Sequence, residues 1–95
     1  MRRAARVDDN QVEIVKALRN AGASVQPLHS VGQGCPDLLV GYMGINLLME
    51  VKDGDKCPSK RKLTDDQVVW HSNWDGQACV VKNVEEAITE LIKCN

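Results

Sequence analysis

Residues 34–53, Gly34-Cys-Pro-Asp37-Leu-Leu-Val-Gly-Tyr-Met-Gly-Ile-Asn-Leu-Leu-Met-Glu50-Val-Lys52-Asp53, decide the fold. Two apolar, strand-like runs flank Met43-Gly44, and the charged side chains stand at their outer ends. A tight turn at Met43-Gly44 pairs the runs antiparallel: Tyr42 with Ile45, Val40 with Leu47 and Asp37 with Glu50. A loop of two residues or of four gives the same register. Alternation then sets Leu38, Val40, Tyr42, Ile45, Leu47, Met49 and Val51 on one face, and Asp37, Leu39, Gly41, Asn46, Leu48, Glu50 and Lys52 on the other. Both faces are mostly apolar, which predicts central strands covered on each side with polar groups gathered at one end. Opposed residues have Cβ atoms about 4.5–5.5 Å apart. Two like charges at ~5 Å repel by roughly 3 kcal/mol at an effective dielectric of 20. Such a pair on an apolar hairpin calls for a cation between the carboxylates, and so for a divalent-metal hydrolytic site.

The rest of the chain fits one small domain spanning residues 1–95, with 43% apolar residues for a single core. Oligomerisation is the usual remedy for the modest stability of this size. The formal net charge is −1, so the chain as a whole is no polycation. Its basic residues are nevertheless clustered, at Arg2, Arg3 and Arg6 and again at Lys52, Lys56, Lys60, Arg61 and Lys62. Cysteines at 35, 57, 79 and 94 form no CxxC pair, which disfavours a zinc knuckle and a disulfide framework and predicts small, half-buried, reduced thiols. No apolar run reaches the ~18 residues of a membrane span, and no export signal follows Met1-Arg-Arg. An intracellular, cytoplasmic protein is expected.

Coarse patterning gives the order α-β-β-β-α-β-α, an α/β fold with a mixed sheet flanked by helices. Asp8, Asp9 and Asn10 offer N-cap oxygens for a helix running to about Ala21, with Val12, Val15 and Leu18 facing the core. Ser24 to Leu28 reads as a strand, followed by the turn Val31-Gly-Gln-Gly34. Asp53 to Leu63 reads as a polar loop. Thr64-Asp-Asp-Gln67 is a capping-box pattern opening a helix to about Trp74. Ala78 to Lys82 is a short buried strand, and Asn83-Val-Glu-Glu86 caps a last helix ending near Lys93.

Several residues carry candidate chemistry. Hard divalent cations take oxygen ligands, and Mg²⁺ uses one or two carboxylates while keeping several waters, which suits Asp37 and Glu50. Lys52 shares the face of Glu50, where an ammonium offsets charge developing on phosphorus; its bland alternative is a surface salt bridge to Asp53 or Asp55. Glu13 is either a further metal ligand or a solvated helix acid. Gln67 and His71 lie four apart on one helix face beside Trp70 and Trp74. Gln67 also completes the capping box, and His71 is more ordinarily a partly buried histidine than a general base. His29, beside the glycine turn, is an equally weak candidate. No Gly-Lys-Ser/Thr follows Gly32 and Gly34, so they form no P-loop; they let the backbone turn sharply or approach DNA closely. Lys56, Lys60, Arg61 and Lys62 are placed to neutralise phosphates with strong salt dependence. Aromatics are few (two Trp, one Tyr), which argues against a base-stacking single-strand binder.

Pro36-Asp37 followed by Glu50-Val51-Lys52 resembles the PD-(D/E)xK nuclease signature. Its context narrows the likeness: Gly-Cys-Pro-Asp-Leu-Leu-Val-Gly-Tyr, Leu-Leu-Met-Glu-Val-Lys and Lys-Leu-Thr-Asp-Asp-Gln-Val-Val-Trp-His. Over nearly the whole chain the sequence resembles the stand-alone virus-type replication-repair nuclease (VRR-NUC) domain, related in fold to Holliday-junction resolvases. The resemblance implies a restriction-endonuclease-like sheet and Mg²⁺ or Mn²⁺ held by Asp37 and Glu50, with Lys52 catalytic. It also implies that Glu13 and Gln67 reach the same site. It further implies a homodimer acting on branched DNA of Holliday-junction or flap type. Some members of the family carry an Arg-Arg pair ahead of the Pro-Asp motif, where this chain has Gly32-Gln33. The alternative from another class is a DNA-structure-binding module of the same fold without turnover.

Overall fold

The computed structural model describes residues 9–93. The first arginine cluster (Arg2, Arg3, Arg6), Asp8 and Cys94 lie outside them. Met43 and Gly44 both take positive φ, 53° and 82°, as a two-residue hairpin turn of the primed type requires. The turn joins β2 (Leu38–Tyr42) to β3 (Ile45–Val51). Their register is the expected one, with Tyr42 opposite Ile45, Val40 opposite Leu47 and Leu38 opposite Met49. β1 (Ser24–Pro27) pairs antiparallel with β2, and β4 (Ala78–Val81) pairs parallel with β3. The sheet is therefore mixed and ordered β1-β2-β3-β4.

The core face of the hairpin is the predicted one. Leu38, Val40, Leu47, Met49 and Val51 are buried there with Val81, under Ile14 and Leu18 of α1 (Gln11–Asn20) and Ala87 and Leu91 of α4 (Val84–Lys93). α4 starts on Asn83, whose Oδ1 accepts the Glu86 N–H at 2.8 Å, while Glu86 Oε1 accepts the Lys82 N–H at 2.8 Å. α3 (Asp65–Asn73) opens with the full capping box of Thr64 and Gln67.

The structure corrects five local expectations. Asn10 stands at the N-cap of α1, but its side chain makes no capping bond. Its Nδ2 instead donates to the carbonyls of Lys52 (3.1 Å) and Lys82 (3.0 Å), tying the start of α1 to the ends of β3 and β4. Val12 does not face the core; it is 73% exposed, and the buried stripe of α1 is Gln11, Ile14 and Leu18. The polar loop contains a single helical turn, α2 (Pro58–Arg61), where Pro58 supplies a preset φ at the first helical position. The second sheet face is not evenly covered. α3 lies over its polar end, leaving Leu39 and Val80 partly exposed. Cys57 is exposed, whereas Cys35 and Cys79 are half-buried as expected.

The glycine turn packs against protein rather than opening toward solvent. Gly34 has φ +80°, and a Cβ there would sit 2.6 Å from the Asp66 carbonyl carbon, so the loop leans directly on the first turn of α3. Gly32 has a similar φ of +79° but open space around it. Gly34→Ala is therefore expected to cost about 2–4 kcal/mol, combining left-handed strain with overlap. Gly32→Ala should cost only the strain, about 1–2 kcal/mol. Urea unfolding of the two variants checks the difference; equal losses would mean that contact with α3 is unimportant.

Candidate active site

The hairpin register brings Asp37 and Glu50 to one end of the sheet. Asp37 immediately precedes β2, and its main-chain carbonyl accepts the Leu28 N–H at 2.7 Å. Its side-chain Oδ2 accepts the Val51 N–H at 2.8 Å. One carboxylate oxygen is thereby fixed on the neighbouring strand, which orients the other. Glu50 is 2% exposed and Lys52 is 9% exposed, two strongly polar side chains on the same face of one strand.

Gln67 joins them. Its Nε2 donates to Glu50 Oε2 at 3.0 Å, and its Oε1 accepts from Lys52 Nζ at 2.8 Å. The same Oε1 accepts the Thr64 N–H at 2.9 Å, which is the capping-box bond. The capping and site readings of Gln67 thus hold together in one amide, because its carbonyl oxygen has two lone pairs and both are used. Lys52 Nζ lies 3.8 Å from Glu50 Oε2, a looser contact than its bond to the amide. The salt bridge considered from Lys52 to Asp53 or Asp55 does not form; Asp53 Oδ1 instead accepts the Asp55 N–H at 2.9 Å.

Two neighbours report on the local field. The Cys35 thiol is pushed up from its ordinary value by burial, then by Glu50 and then by Asp37, so both carboxylates act on one point. His71, one turn beyond Gln67 on α3, is held below its ordinary value by burial and then by the Lys52 ammonium. Its ring packs edge-on against Trp70 at 5.2 Å, and its buried Nε2 has no hydrogen-bond partner.

Glu13 is not brought into this group. It is exposed on α1, and among the described residues no three His, Cys, Asp or Glu side chains converge as a metal cluster would. The polar side chain that bonds the motif strand from this end of the helix is the N-cap Asn10, three residues earlier, through the Lys52 carbonyl. Sequence reading treated Asn10 as a helix cap and gave Cys35 no role at the site. The only signal for Cys35 was its place directly before Pro36-Asp37. His29 is exposed and stands apart from the Gln67 network.

The basic segment is anchored at both ends. Lys52 and Thr64 both donate to Gln67 Oε1, so residues 53–63 leave the site and return to it. Lys60 and Lys62 are exposed on this segment, while Lys56 and Arg61 are half-buried. A pair of carboxylates with a lysine alongside suits hard-cation chemistry. The donor set is all oxygen, its negative potential is concentrated enough to act on Cys35, and two carboxylates match the protein share of a Mg²⁺ site.

The chain is similar to a solved structure described as a VRR_NUC domain, with 26% identity over 87% of this chain and 89% of that one and a TM-score of 0.63. No family profile and no curated protein matches it.

Two outcomes are expected from α3. Gln67→Ala should lower turnover by roughly 10–100-fold through misplaced Lys52 and Glu50, and lower stability by about 1 kcal/mol through the lost cap. Gln67→Glu keeps both acceptor bonds but sets a carboxylate against Glu50. It should regain stability without regaining turnover; recovery of both would reduce Gln67 to a helix cap. The second outcome concerns pH. Because His71 takes a proton less readily when folded, the unfolded chain binds it first, and stability should fall as pH drops below the ordinary value of 6.5. His71→Gln should remove that part of the slope, as read from urea midpoints near pH 7.5 and pH 5.5.

Proposed function

We propose that this chain, which carries a VRR-NUC domain, is a Mg²⁺- or Mn²⁺-dependent deoxyribonuclease that hydrolyses phosphodiester bonds in branched DNA. The nuclease-type fold is common to the chain and the solved domain it resembles. The observation that carries the reading is the Gln67 amide holding Glu50 and Lys52 in one hydrogen-bonded set beside Asp37.

Asp37 and Glu50 would hold the cation. A hard divalent ion supplies Lewis-acid polarisation of a phosphoryl oxygen and a source of hydroxide near neutral pH. Asp37 presents one carboxylate oxygen outward, because the other is held by the Val51 N–H. Glu50 is kept in place by the Gln67 amide N–H. Lys52 carries the positive charge that offsets charge gained by the phosphorus oxygens, and its bond to Gln67 Oε1 fixes the ammonium before substrate arrives. Burial of Lys52 strengthens that interaction, since fewer waters screen it. Lys56, Lys60, Arg61 and Lys62, on the segment that starts and ends at the site, would take the flanking phosphates.

A homodimer accompanies this reading. Leu39 and Val80 of the sheet, Val68 and Val69 of α3 and Trp74 at its C-cap are apolar side chains that a monomer leaves exposed to water. Two sites related by a two-fold axis suit a branched substrate. Trp74→Lys is expected to lower the sedimentation mass to that of one chain.

The test is incubation with flap, splayed and four-way DNA, with Mg²⁺, with Mn²⁺ and with EDTA. Metal-dependent cleavage is expected. Asp37→Ala should abolish it, and Lys52→Ala should reduce it by roughly 10²–10³-fold. Identical products from wild type and both variants would exclude the nuclease reading. Gel shifts without cleavage would favour a DNA-structure-binding module.

A further inference from the structure

Lys52 stands one residue beyond the end of β3, yet its main chain still follows the ladder between β3 and β4. Its N–H donates to the Val81 carbonyl at 2.9 Å, as the Leu48 N–H does to the Gln77 carbonyl at 3.2 Å. In a parallel ladder the next bond, to the Lys52 carbonyl, comes from the N–H of residue 83. That bond is not made, because the chain turns at Asn83 into α4, where Asn83 Oδ1 accepts the Glu86 N–H. Asn10 Nδ2 supplies the donor instead, at 3.1 Å, and gives its second hydrogen to the Lys82 carbonyl at 3.0 Å. A side-chain amide from the start of α1 thus stands in for a residue of missing strand.

The residue type is informative. Asn10 is 9% exposed, and its Oδ1 is buried without a hydrogen-bond partner. Buried oxygens are nearly always paired, and leaving one unpaired is unfavourable. A serine starts a helix as well as an asparagine does, and the Asn10 side chain makes no capping bond here. What asparagine adds is an NH₂ with the reach to join two strand-end carbonyls.

The geometry points to Asn10 as a positioning residue for Lys52, the ammonium that offsets charge on the phosphorus oxygens. The lysine is fixed at its N–H by Val81, at its C=O by Asn10 and at Nζ by Gln67 Oε1, 2.8 Å away. Gln67 belongs to α3 and Asn10 to the start of α1, so two helices set opposite ends of one residue. Without the Asn10 amide the Lys52 carbonyl is free to turn, and the Cα–Cβ bond that aims the ammonium turns with it. The segment that follows has anchors of its own. The Gly54 N–H donates to the Lys82 carbonyl at 3.0 Å, the Lys56 N–H to the Asp53 carbonyl at 3.1 Å, and the Asp55 N–H to Asp53 Oδ1 at 2.9 Å. Loss of the Asn10 amide therefore moves the lysine without releasing the basic segment. The inference rests on the nuclease reading for the role of Lys52, and adds a residue that acts on the reaction only through that lysine.

The test compares Asn10→Ser with Ile14→Val. Serine keeps the start of α1 but cannot reach both carbonyls, whereas Ile14→Val loosens the buried face of the same helix and leaves Asn10 in place. Asn10→Ser should lower kcat on branched DNA by roughly 10-fold, as loss of a partner behind a site residue does, with KM unchanged. Binding of the same DNA in EDTA should keep the salt slope of wild type. A second readout is independent of cleavage. In metal-free protein carrying isotope-labelled lysine, a buried, hydrogen-bonded ammonium exchanges slowly and gives its own NMR resonance, identified by its absence from Lys52→Ala. That resonance should broaden or vanish in Asn10→Ser and persist in Ile14→Val. An unmoved resonance in Asn10→Ser overturns the inference, as does wild-type turnover. Loss of both in Ile14→Val, at an equal drop in urea midpoint, also overturns it, since any loosening of α1 would then suffice. If no form of the protein cleaves DNA, the nuclease reading fails, and the resonance alone decides whether Asn10 positions Lys52.

Discussion

A two-residue turn sets a parity on which the site depends. With Met43 and Gly44 both at positive φ, the strands leave the turn in one register, and alternation does the rest. Leu38, Met49 and Val51 go to the core while Glu50 and Lys52 go to the opposite face. A slip of one residue would send the glutamate and the lysine into the helices and bring leucines out. The apolar core therefore protects the register, since a one-residue slip would expose five buried side chains of the hairpin at once. Positioning of the carboxylates comes from hydrophobic burial on the other side of the same strands, at no extra conformational cost to the site.

Parity brings Glu50 and Lys52 to the face; the Gln67 amide holds them there. One side chain serves three neighbours because an amide has separate donor and acceptor ends. The acceptor end faces the cation and the helix N-terminus, and the donor end faces the carboxylate. Reversing the amide would set an NH₂ against an ammonium and an oxygen against a carboxylate. That arrangement is electrostatically excluded, so the pair reads the orientation of the amide and the amide in turn fixes the pair. Gly34 supports this from behind. Its missing Cβ lets the loop ahead of Asp37 rest on the turn of α3 that carries Gln67. Loop, helix and hairpin thus share one small contact region.

The periodic parts of this arrangement were legible in the sequence. The hairpin register, the capping box of Thr64 and Gln67 and the gathering of Asp37 and Glu50 at one end of the sheet follow from local patterns with few alternatives. Reading failed where a local pattern had two solutions. Asn10 suits a helix cap by composition, but two strand-end carbonyls, from Lys52 and Lys82, were better partners. Val12 and Gln11 occupy adjacent helical positions, and apolarity favoured Val12 for the core. Anchoring of Asn10 rotates α1 so that Gln11 turns inward and Val12 outward. Nothing within residues 8–22 encodes that rotation, because the carbonyls that impose it lie some forty and seventy residues away. The same rotation accounts for Glu13, which is carried into solvent. Gly34 was read as a glycine that turns or approaches DNA, and the backbone it approaches belongs to α3.

Burial of polar groups is concentrated in the same region. Among the described residues, five polar or charged side chains are buried: Asn10, Gln11, Glu50, Lys52 and Asp53. All of them belong to the end of the sheet where Asp37 sits, against eleven buried apolar side chains in the rest of the core. Buried ionic groups are poor sources of stability, because desolvation offsets much of the attraction between them. A domain this small has little stability to spare. An arrangement chosen for stability alone would place aliphatic side chains at positions 50 and 52, continuing the apolar run of Leu48, Met49 and Val51. The chain instead keeps a carboxylate and an ammonium there and spends an amide from a third element on holding them apart and aligned. Groups maintained against the preference of the fold, at one end of the sheet and with a basic segment returning to the same spot, are what the proposed action on a charged substrate would require.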